Sequence, residues 1–415
     1  MPDGGRNGRH AADGDPQAGG RTARAPRSLV VALGTAGVVA AAVAATYALA
    51  PTWAGQSGAA AKDSGAGAQA APASAPVGQV LRVLSVTPSA GERRVNGSGA
   101  IEVAFSAELA AGSPVPTISP RVEGRWQLAG TAMVFTPDTG FSPSTRVTLR
   151  VPAGQAGVRS AAGALLATPL ISHFSTEPYS KVRLSQILSQ LGYLPLSWAP
   201  EAFGHLAGSD GSAGSGLASQ VSLAYSPAEG MFTWDKGYPS MLRSQWRPAA
   251  RNLIVKGAVM AFESQHGMPT DGVPSPKVWK ALFTAADRGK RNRGGYTYAL
   301  ASQSPPETLT IWHDGKIVMR SPANTGIPVA PTADGTFPVY LRYRFQIMQG
   351  INPDGSHYAD PVSFVAYFNG GDAVHYFPRG SYGFQQSLGC VELPLGSAAQ
   401  AWPYLTYGSL VTVAS

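Results

Sequence analysis

A mainly β, multidomain protein is the expectation, and three features set it. Glycine (49) and proline (34) make up about a fifth of the 415 residues, a composition that favours turns and short strands over long helices. Runs alternating apolar and polar residues recur through residues 78–177 and again through 296–415, the period of half-buried strands. Between them, at 180–285, apolar residues fall at helical spacing. At this length two to three domains are expected, and the 44% hydrophobic content supports ordinary cores.

The N-terminal region is organised differently. Ser28 to Ala50 is almost wholly apolar, and about 20 such residues span a bilayer. Arg6, Arg9, Arg21, Arg24 and Arg27 precede it, which by the positive-inside rule keeps residues 1–27 as a cytoplasmic tail and exports the rest. A cleaved signal peptide is the rival reading. Ala48-Leu49-Ala50 has the small-residue pattern of a cleavage site, but Pro51 follows it and the apolar core is long, so an uncleaved single-pass anchor at 28–50 is favoured. No cysteine lies near the segment to carry a lipid. Residues 51–77 are mostly Gly, Ala, Ser and Pro and read as a disordered linker. The expected location is therefore the cell membrane, with the folded part extracytoplasmic.

Residues 78–177 carry strand signals at Val80 to Val86, Ile101 to Phe105, Val134 to Thr136 and Val147 to Val151, separated by Pro88, Asn96-Gly97, Pro114, Pro120 and Pro137. That pattern predicts a small β-sandwich. At 180–285, Leu184, Ile187, Leu188 and Leu191 mark one helix face, ended by Gly192. Val255, Val259 and Phe262 mark a second, ended by Gly267, and Trp279 and Leu282 a third. An insertion at about 200–248 is rich in Gly and Ser and then in aromatics, including Tyr225, Phe232, Trp234, Tyr238 and Trp246. Aromatics so placed pack the insertion onto its own module more often than they meet glycan.

In residues 296–415, Leu309 to Trp312 and Ile317 to Met319 flank Asp314-Gly315, a hairpin signal. Thr332 to Val339 runs from turn to strand. Phe364 to Phe368, Ala373 to Phe377 and Gly408 to Val413 are further strands, and Gly396 to Leu405 is a helix. Residues 343–361 hold the turn chemistry of Gly350 to Gly355 and are expected to form a mobile flap, with His357 or Tyr358 closing on substrate.

The chemistry concentrates near the C-terminus. Cys390 is the only cysteine in the chain. A lone cysteine is usually a small buried hydrophobe, but exported proteins live where cysteines are normally paired, so an unpaired one signals a reactive thiol. His375 stands fifteen positions before it, and Ser387-Leu388-Gly389 leads into the sulfur. A thiol, a base to take its proton and backbone N–H groups at a flexible loop are the parts of an acyl-transfer site. All seven histidines precede Cys390, the reverse of papain-like enzymes. No Arg follows it, as sortases require, and no His-Glu-x-x-His or close ligand cluster points to a metal. The net charge of +8 has no Lys/Arg block behind it, so no nucleic-acid partner is expected, while a mildly basic surface suits an anionic membrane or wall polymer.

His375 followed by Ser387-Leu388-Gly389-Cys390-Val391-Glu392, with Pro331-Thr332-x-x-Gly335-Thr336-Phe337 upstream, resembles the L,D-transpeptidase family of YkuD type. Residues 78–177, notably Ala132 to Pro137, resemble bacterial Ig-like domains, and Val255 to Leu282 resembles the peptidoglycan-binding-like family. The resemblance implies a YkuD-type catalytic domain at 296–415, with Cys390 as nucleophile, His375 as proton acceptor and donor, and Ser387, Leu388 and Gly389 shaping the substrate or oxyanion loop. It implies peptidoglycan stem peptides as donor and acceptor, 3→3 cross-linking, and no metal or organic cofactor. L,D-carboxypeptidase activity, with water as acceptor, and a non-catalytic wall-binding protein are the alternatives. Three positions depart from the pattern: Leu388 stands for the motif histidine, Tyr376 for the Gly after the first His, and Glu392 for the usual Arg or Asn. In an extended strand Glu392 shares a face with Cys390, where it would raise the thiol pKa and attract an ammonium, unless it points to solvent or pairs with a base such as Arg379.

Overall fold

Alternation is the simplest determinant of the first domain. In β3 (Ile101–Phe105) the side chains of Ile101, Val103 and Phe105 are buried while Glu102 is exposed, and β7 (Arg146–Val151) repeats this with Val147, Leu149 and Val151 against Arg146 and Arg150. With β1 (Val83–Thr87), β2 (Arg93–Val95), β4 (Thr117–Ser119), β5 (Gly124–Ala129), β6 (Ala132–Pro137) and β8 (Leu170–Thr176), these strands form two four-stranded sheets, ordered β1-β3-β6-β5 and β2-β8-β7-β4. Met133, Phe135, Phe141 and Phe174 fill the space between them.

The computed structural model describes residues 80–201, 216–250 and 252–415, all within one compact unit spanning 73–415. The expected tail, anchor and linker at 1–27, 28–50 and 51–77 lie outside the described residues. Among the described residues no helix is long and apolar enough to cross a membrane.

Three helices fall where the apolar spacing places them. α1 (Lys181–Gln190) starts at Ser180, whose side chain accepts from Val182 N–H. It ends before Gly192, whose φ of +77° suits only glycine. α2 (Leu217–Tyr225), α3 (Ser240–Arg243) and a hairpin of β9 (Leu196–Pro200) with β10 (Gly230–Trp234) form the described part of the insertion, whose residues 202–215 lie outside the described residues. α4 (Leu253–Gln265) is capped by Asn252, and α5 (Pro276–Asp287) by Ser275 with Pro at its first turn. The insertion's aromatics are structural. Tyr225 and Tyr238 are buried, Phe232 stacks edge-on to Trp246 at 5.3 Å, and Tyr225 Oη donates to the Phe141 carbonyl of the sandwich at 2.8 Å.

The C-terminal domain has two sheets. β11 (Thr297–Ser302), β12 (Thr308–His313), β13 (Lys316–Pro322), β14 (Gly335–Pro338) and β19 (Leu410–Ala414) form one, ordered β13-β12-β11-β19-β14. β15 (Leu341–Ile351), β16 (His357–Asn369), β17 (Asp372–Tyr376) and β18 (Val391–Leu393) form the other in that order. The final helix, α6 (Leu395–Ala401), is shorter than expected. The two sheets pack through residues such as Ala299, Ile311, Phe368, Val374, Val391 and Val411.

The opposite face of the first sheet is not solvent. Tyr298, Trp312 and Leu410 join one apolar cluster with Leu188, Phe262 and Trp279 of the helices. Close approach is needed at one point: a Cβ on Gly257 of α4 would overlap the Gly408 carbonyl, and one on Gly408 would overlap the Gly257 carbonyl. The helical region and the C-terminal sheets therefore share a core.

Residues 343–361, the expected flap, are the far half of a β-hairpin whose ladder runs from Leu341↔Tyr367 to Ile351↔His357, with only the turn from Asn352 to Ser356 outside it. The segment Leu341 to Ile351 alternates in sequence, and that period outweighs the turn residues next to it.

Candidate functional site

His375 and Cys390 meet because β17 and β18 lie side by side in parallel, Val374 opposite Val391 and His375 opposite Glu392. Side chains alternate along each strand. Val374 and Val391 enter the core, so His375, Cys390 and Glu392 face the other way. That side is a cleft of about 670 Å³ lined by these three residues with Gln346, Met348, Tyr358, Tyr367, Asp372 and Arg379, among others.

The loop before the sulfur is tightly held. The N–H groups of Gln386 and Ser387 donate to the Thr325 carbonyl at 2.9 and 3.0 Å, and the Ile327 N–H donates to the Ser387 carbonyl at 2.9 Å. Thr325 is fixed in turn by Glu307, fully buried, which accepts from Thr325 N–H at 2.7 Å and from its hydroxyl at 2.9 Å. Asn324 and Glu392 exchange both backbone hydrogen bonds. Within the loop, Ser387 Oγ donates to the Cys390 carbonyl at 2.6 Å and accepts from Gly389 N–H at 3.2 Å. Gly389 has φ +113°, and a Cβ there would lie 2.6 Å from Asp372 Oδ1. Only glycine satisfies both constraints.

Electrostatically the resting pair is neutral. Burial pushes the Cys390 thiol up to about 12, with the Asp372 and Glu392 carboxylates adding to the rise and the Ala373 N–H opposing it. Burial also holds the His375 imidazole below its usual value, with Arg379 on the same side and the Tyr376 carbonyl and Glu392 opposing. His375 Nδ1 lies 3.0 Å from the Tyr376 carbonyl. A carbonyl only accepts, so Nδ1 carries the proton in the neutral ring and Nε2 is the free base.

The three departures from the family pattern have separate fates. Leu388 is partly exposed and lines the cleft. Tyr376 packs against the core between the sheets, so its bulk lies away from the cleft. Glu392 does share a face with Cys390, but it is not a free carboxylate. Arg379 grips it with two hydrogen bonds, Nε to Oε2 at 2.7 Å and Nη2 to Oε1 at 2.8 Å. Nη2 also donates to the Gln386 carbonyl at 3.0 Å, and the guanidinium lies over the Phe377 ring at 4.7 Å. A bidentate pair of this kind is strong, and it leaves little charge to attract an ammonium.

Of the two residues expected to close over the site, Tyr358 lines the cleft and His357 does not. They are neighbours on one strand and so point to opposite faces. The Tyr358 ring lies over its cross-strand partner Gly350, where a Cβ would come within 2.5 Å of its hydroxyl. Asp372, Tyr367 and Asp360 also line the cleft and were not foreseen. Asp372 lies three residues before His375, next to Gly370-Gly371, but that turn carries no signal of chemistry.

Residues 297–413 match the L,D-transpeptidase catalytic domain model, YkuD, and residues 78–176 match the bacterial Ig-like domain model. No curated protein matches the chain. Among solved structures, an L,D-transpeptidase from Mycobacterium smegmatis is 15% identical, with 81% of this chain and 100% of that chain covered and a TM-score of 0.27. L,D-transpeptidase 3 from Mycobacterium tuberculosis is 16% identical over 80% of this chain and 98% of its own, with a TM-score of 0.26. The catalytic domain of an E. faecium L,D-transpeptidase is 23% identical over 29% of this chain and 99% of its own, with a TM-score of 0.27. The family matches, not these distant superpositions, carry the assignment.

Proposed function

We propose that this chain, which carries an L,D-transpeptidase catalytic domain, is a peptidoglycan L,D-transpeptidase that forms 3→3 cross-links through a thioester on Cys390. His375 Nε2 takes the Cys390 proton as the sulfur attacks the carbonyl of the third, L-configured centre of a stem tetrapeptide. The raised thiol and lowered imidazole favour proton removal during attack over a stored thiolate–imidazolium pair. The N–H groups of Leu388 and Cys390 would hold the developing oxyanion, since those of Ser387 and Gly389 already donate to the Thr325 carbonyl and the Ser387 hydroxyl. The imidazolium then protonates the departing D-alanine. The side-chain amine of a second stem opens the thioester and restores the thiol.

The observation that carries this reading is the parallel β17–β18 pair, which sets a free-base imidazole nitrogen and a thiol in one cleft. In the same reading the sandwich is a spacer, the helical region is a peptidoglycan-binding module, and residues 28–50 hold the enzyme at the cell membrane with its cleft on the wall side. The test is incubation of residues 73–415 with purified muropeptides. Cross-linked dimers are expected. Trimmed monomers alone would make the protein an L,D-carboxypeptidase, and bound but unchanged material would overturn catalysis.

A further inference from the structure

Two carboxylates flank the Cys390 thiol, and only one is matched by a cation. Glu392 is neutralised by Arg379. The other ion pairs among the described residues are Arg121–Glu123 and His313–Asp314, so Asp372 has none. Its Oδ1 lies against Gly389, the residue before the sulfur, and it lines the cleft beside Gly371 and Cys390. Cys390 Sγ lies 3.8 Å from the Gly371 carbonyl, on the same turn. The one side-chain hydrogen bond to Asp372 comes from the neutral Asn369 amide, 3.2 Å from Oδ2. Two glycines, Gly370 and Gly371, form the turn before Asp372 and add no side chain there.

A carboxylate in this position works against the first half of the reaction, because it disfavours thiolate. In the acyl-enzyme the sulfur is an uncharged thioester, so that penalty vanishes. What remains is a partly buried negative charge beside the electrophile, where a cation is attracted more strongly than in water. The cleft's other carboxylates without an ion pair are Asp354, which accepts from Ser356 N–H and hydroxyl within its own turn, and Asp360, which acts on His375 and Arg379.

We propose that Asp372 is the acceptor-binding residue: its carboxylate receives the side-chain ammonium of the acceptor stem and holds that nitrogen against the Cys390 thioester. The proposal rests on the transpeptidase reading. The ammonium gives one proton to His375 Nε2. The amine attacks the thioester carbon, the N–C bond forms and the C–S bond breaks. The sulfur leaves with the electron pair and takes the second nitrogen proton, and His375 releases the first to solvent. Burial raises the Asp372 pKa, with the Asn369 amide and Ala333 N–H opposing, and an ammonium at the carboxylate would offset that rise.

The test is a partition experiment on the acyl-enzyme formed with a donor tetrapeptide and followed by intact mass. At neutral pH it is offered an acceptor stem peptide, whose amine is cationic, or hydroxylamine, which is neutral. In Asp372→Asn the ratio of cross-linked to hydrolysed product is expected to fall by roughly 10- to 100-fold, the factor for loss of a hydrogen bond to a charged group. The ratio of hydroxamate to hydrolysed product is expected to hold. An unchanged cross-linking ratio, or an equal fall with hydroxylamine, overturns the proposal. Absence of any acyl-enzyme in the wild type overturns the transpeptidase reading instead. If Asp372→Asn does not acylate, Asn369→Ala, which removes the amide orienting the carboxylate, carries the same expectation at smaller size.

Discussion

The two walls of the cleft are built by different means. The wall that bears Cys390 is pinned from beneath by buried groups: Glu307 holds Thr325, Thr325 holds Gln386 and Ser387, and Ser387 closes its own loop onto Cys390. The opposite wall is the β15–β16 arm, two strands with Tyr343, Phe345, Ile347 and Ile351 of the outer face exposed. Its turn is held locally, by Ser356 on Asp354 and by the Asn352 N–H on the Ser356 carbonyl. One wall is over-determined, and the other has few buried contacts to hold it, the mark of a region that opens at low free energy. In the proposed mechanism, reaction geometry belongs to the first wall and substrate accommodation to the second.

That contrast sets an order of effects. Cys390→Ser should reduce turnover to background with the fold retained, since a hydroxyl is far less acidic than a thiol. Carbapenems should add one inhibitor mass to the wild type and none to Cys390→Ala. His375→Asn should lower turnover by about 10²- to 10⁴-fold, the usual contribution of a positioned acid–base. Wild-type rates in either variant would remove the thiol–imidazole mechanism.

Ser387→Ala comes next. It leaves the buried Gly389 N–H without its acceptor, and should lower stability by about 1–3 kcal/mol and turnover with it. Denaturant unfolding and turnover should move together. Turnover unchanged beside lost stability would show that the pinned wall serves folding alone.

Smaller is the effect of Glu392→Gln on thiol acidity. With the thiol pushed up to about 12, alkylation of the wild type should climb with pH and show no plateau up to about pH 10, where thiolate is still a minor form. Glu392 disfavours thiolate, so its neutralisation lowers the thiol pKa and moves the alkylation curve to lower pH. An unshifted curve would mean that Arg379 cancels the carboxylate fully. The smallest effect is expected on the softer wall. Tyr358→Ala should raise KM by about two- to fivefold with little change in kcat, as loss of uniform binding does. A large fall in kcat would make the arm part of the reaction geometry and break the contrast.

The sequence shows the nucleophile and its base because their spacing and the strands around them are local patterns. Their meeting depends on a parallel pairing of β17 with β18, which no local pattern records; the family resemblance implied only that Cys390 and His375 act together. Arg379 could be foreseen as a partner of Glu392, but not that it would be bidentate, since that needs the path of residues 380–391. Asp372 was missed because its significance comes from contact with Gly389, seventeen residues away. In the arm, Asn352 to Gly355 signals the turn, and the alternation of Leu341 to Ile347 signals the strand that leads into it.

The Gly257–Gly408 contact has a consequence for reach. A module on a flexible string lets an enzyme search a volume, whereas one fused through a common core acts as a ruler. In the proposed reading of the helical region as a binding module, what it holds stands at one set distance and angle from the sulfur, because α4 and the final strand share a core. Lengthening a side chain at either glycine would push that ruler off its mark before it touched the chemistry. Gly257→Ala is therefore a way to shift the helical region against the cleft without altering a residue that lines the cleft.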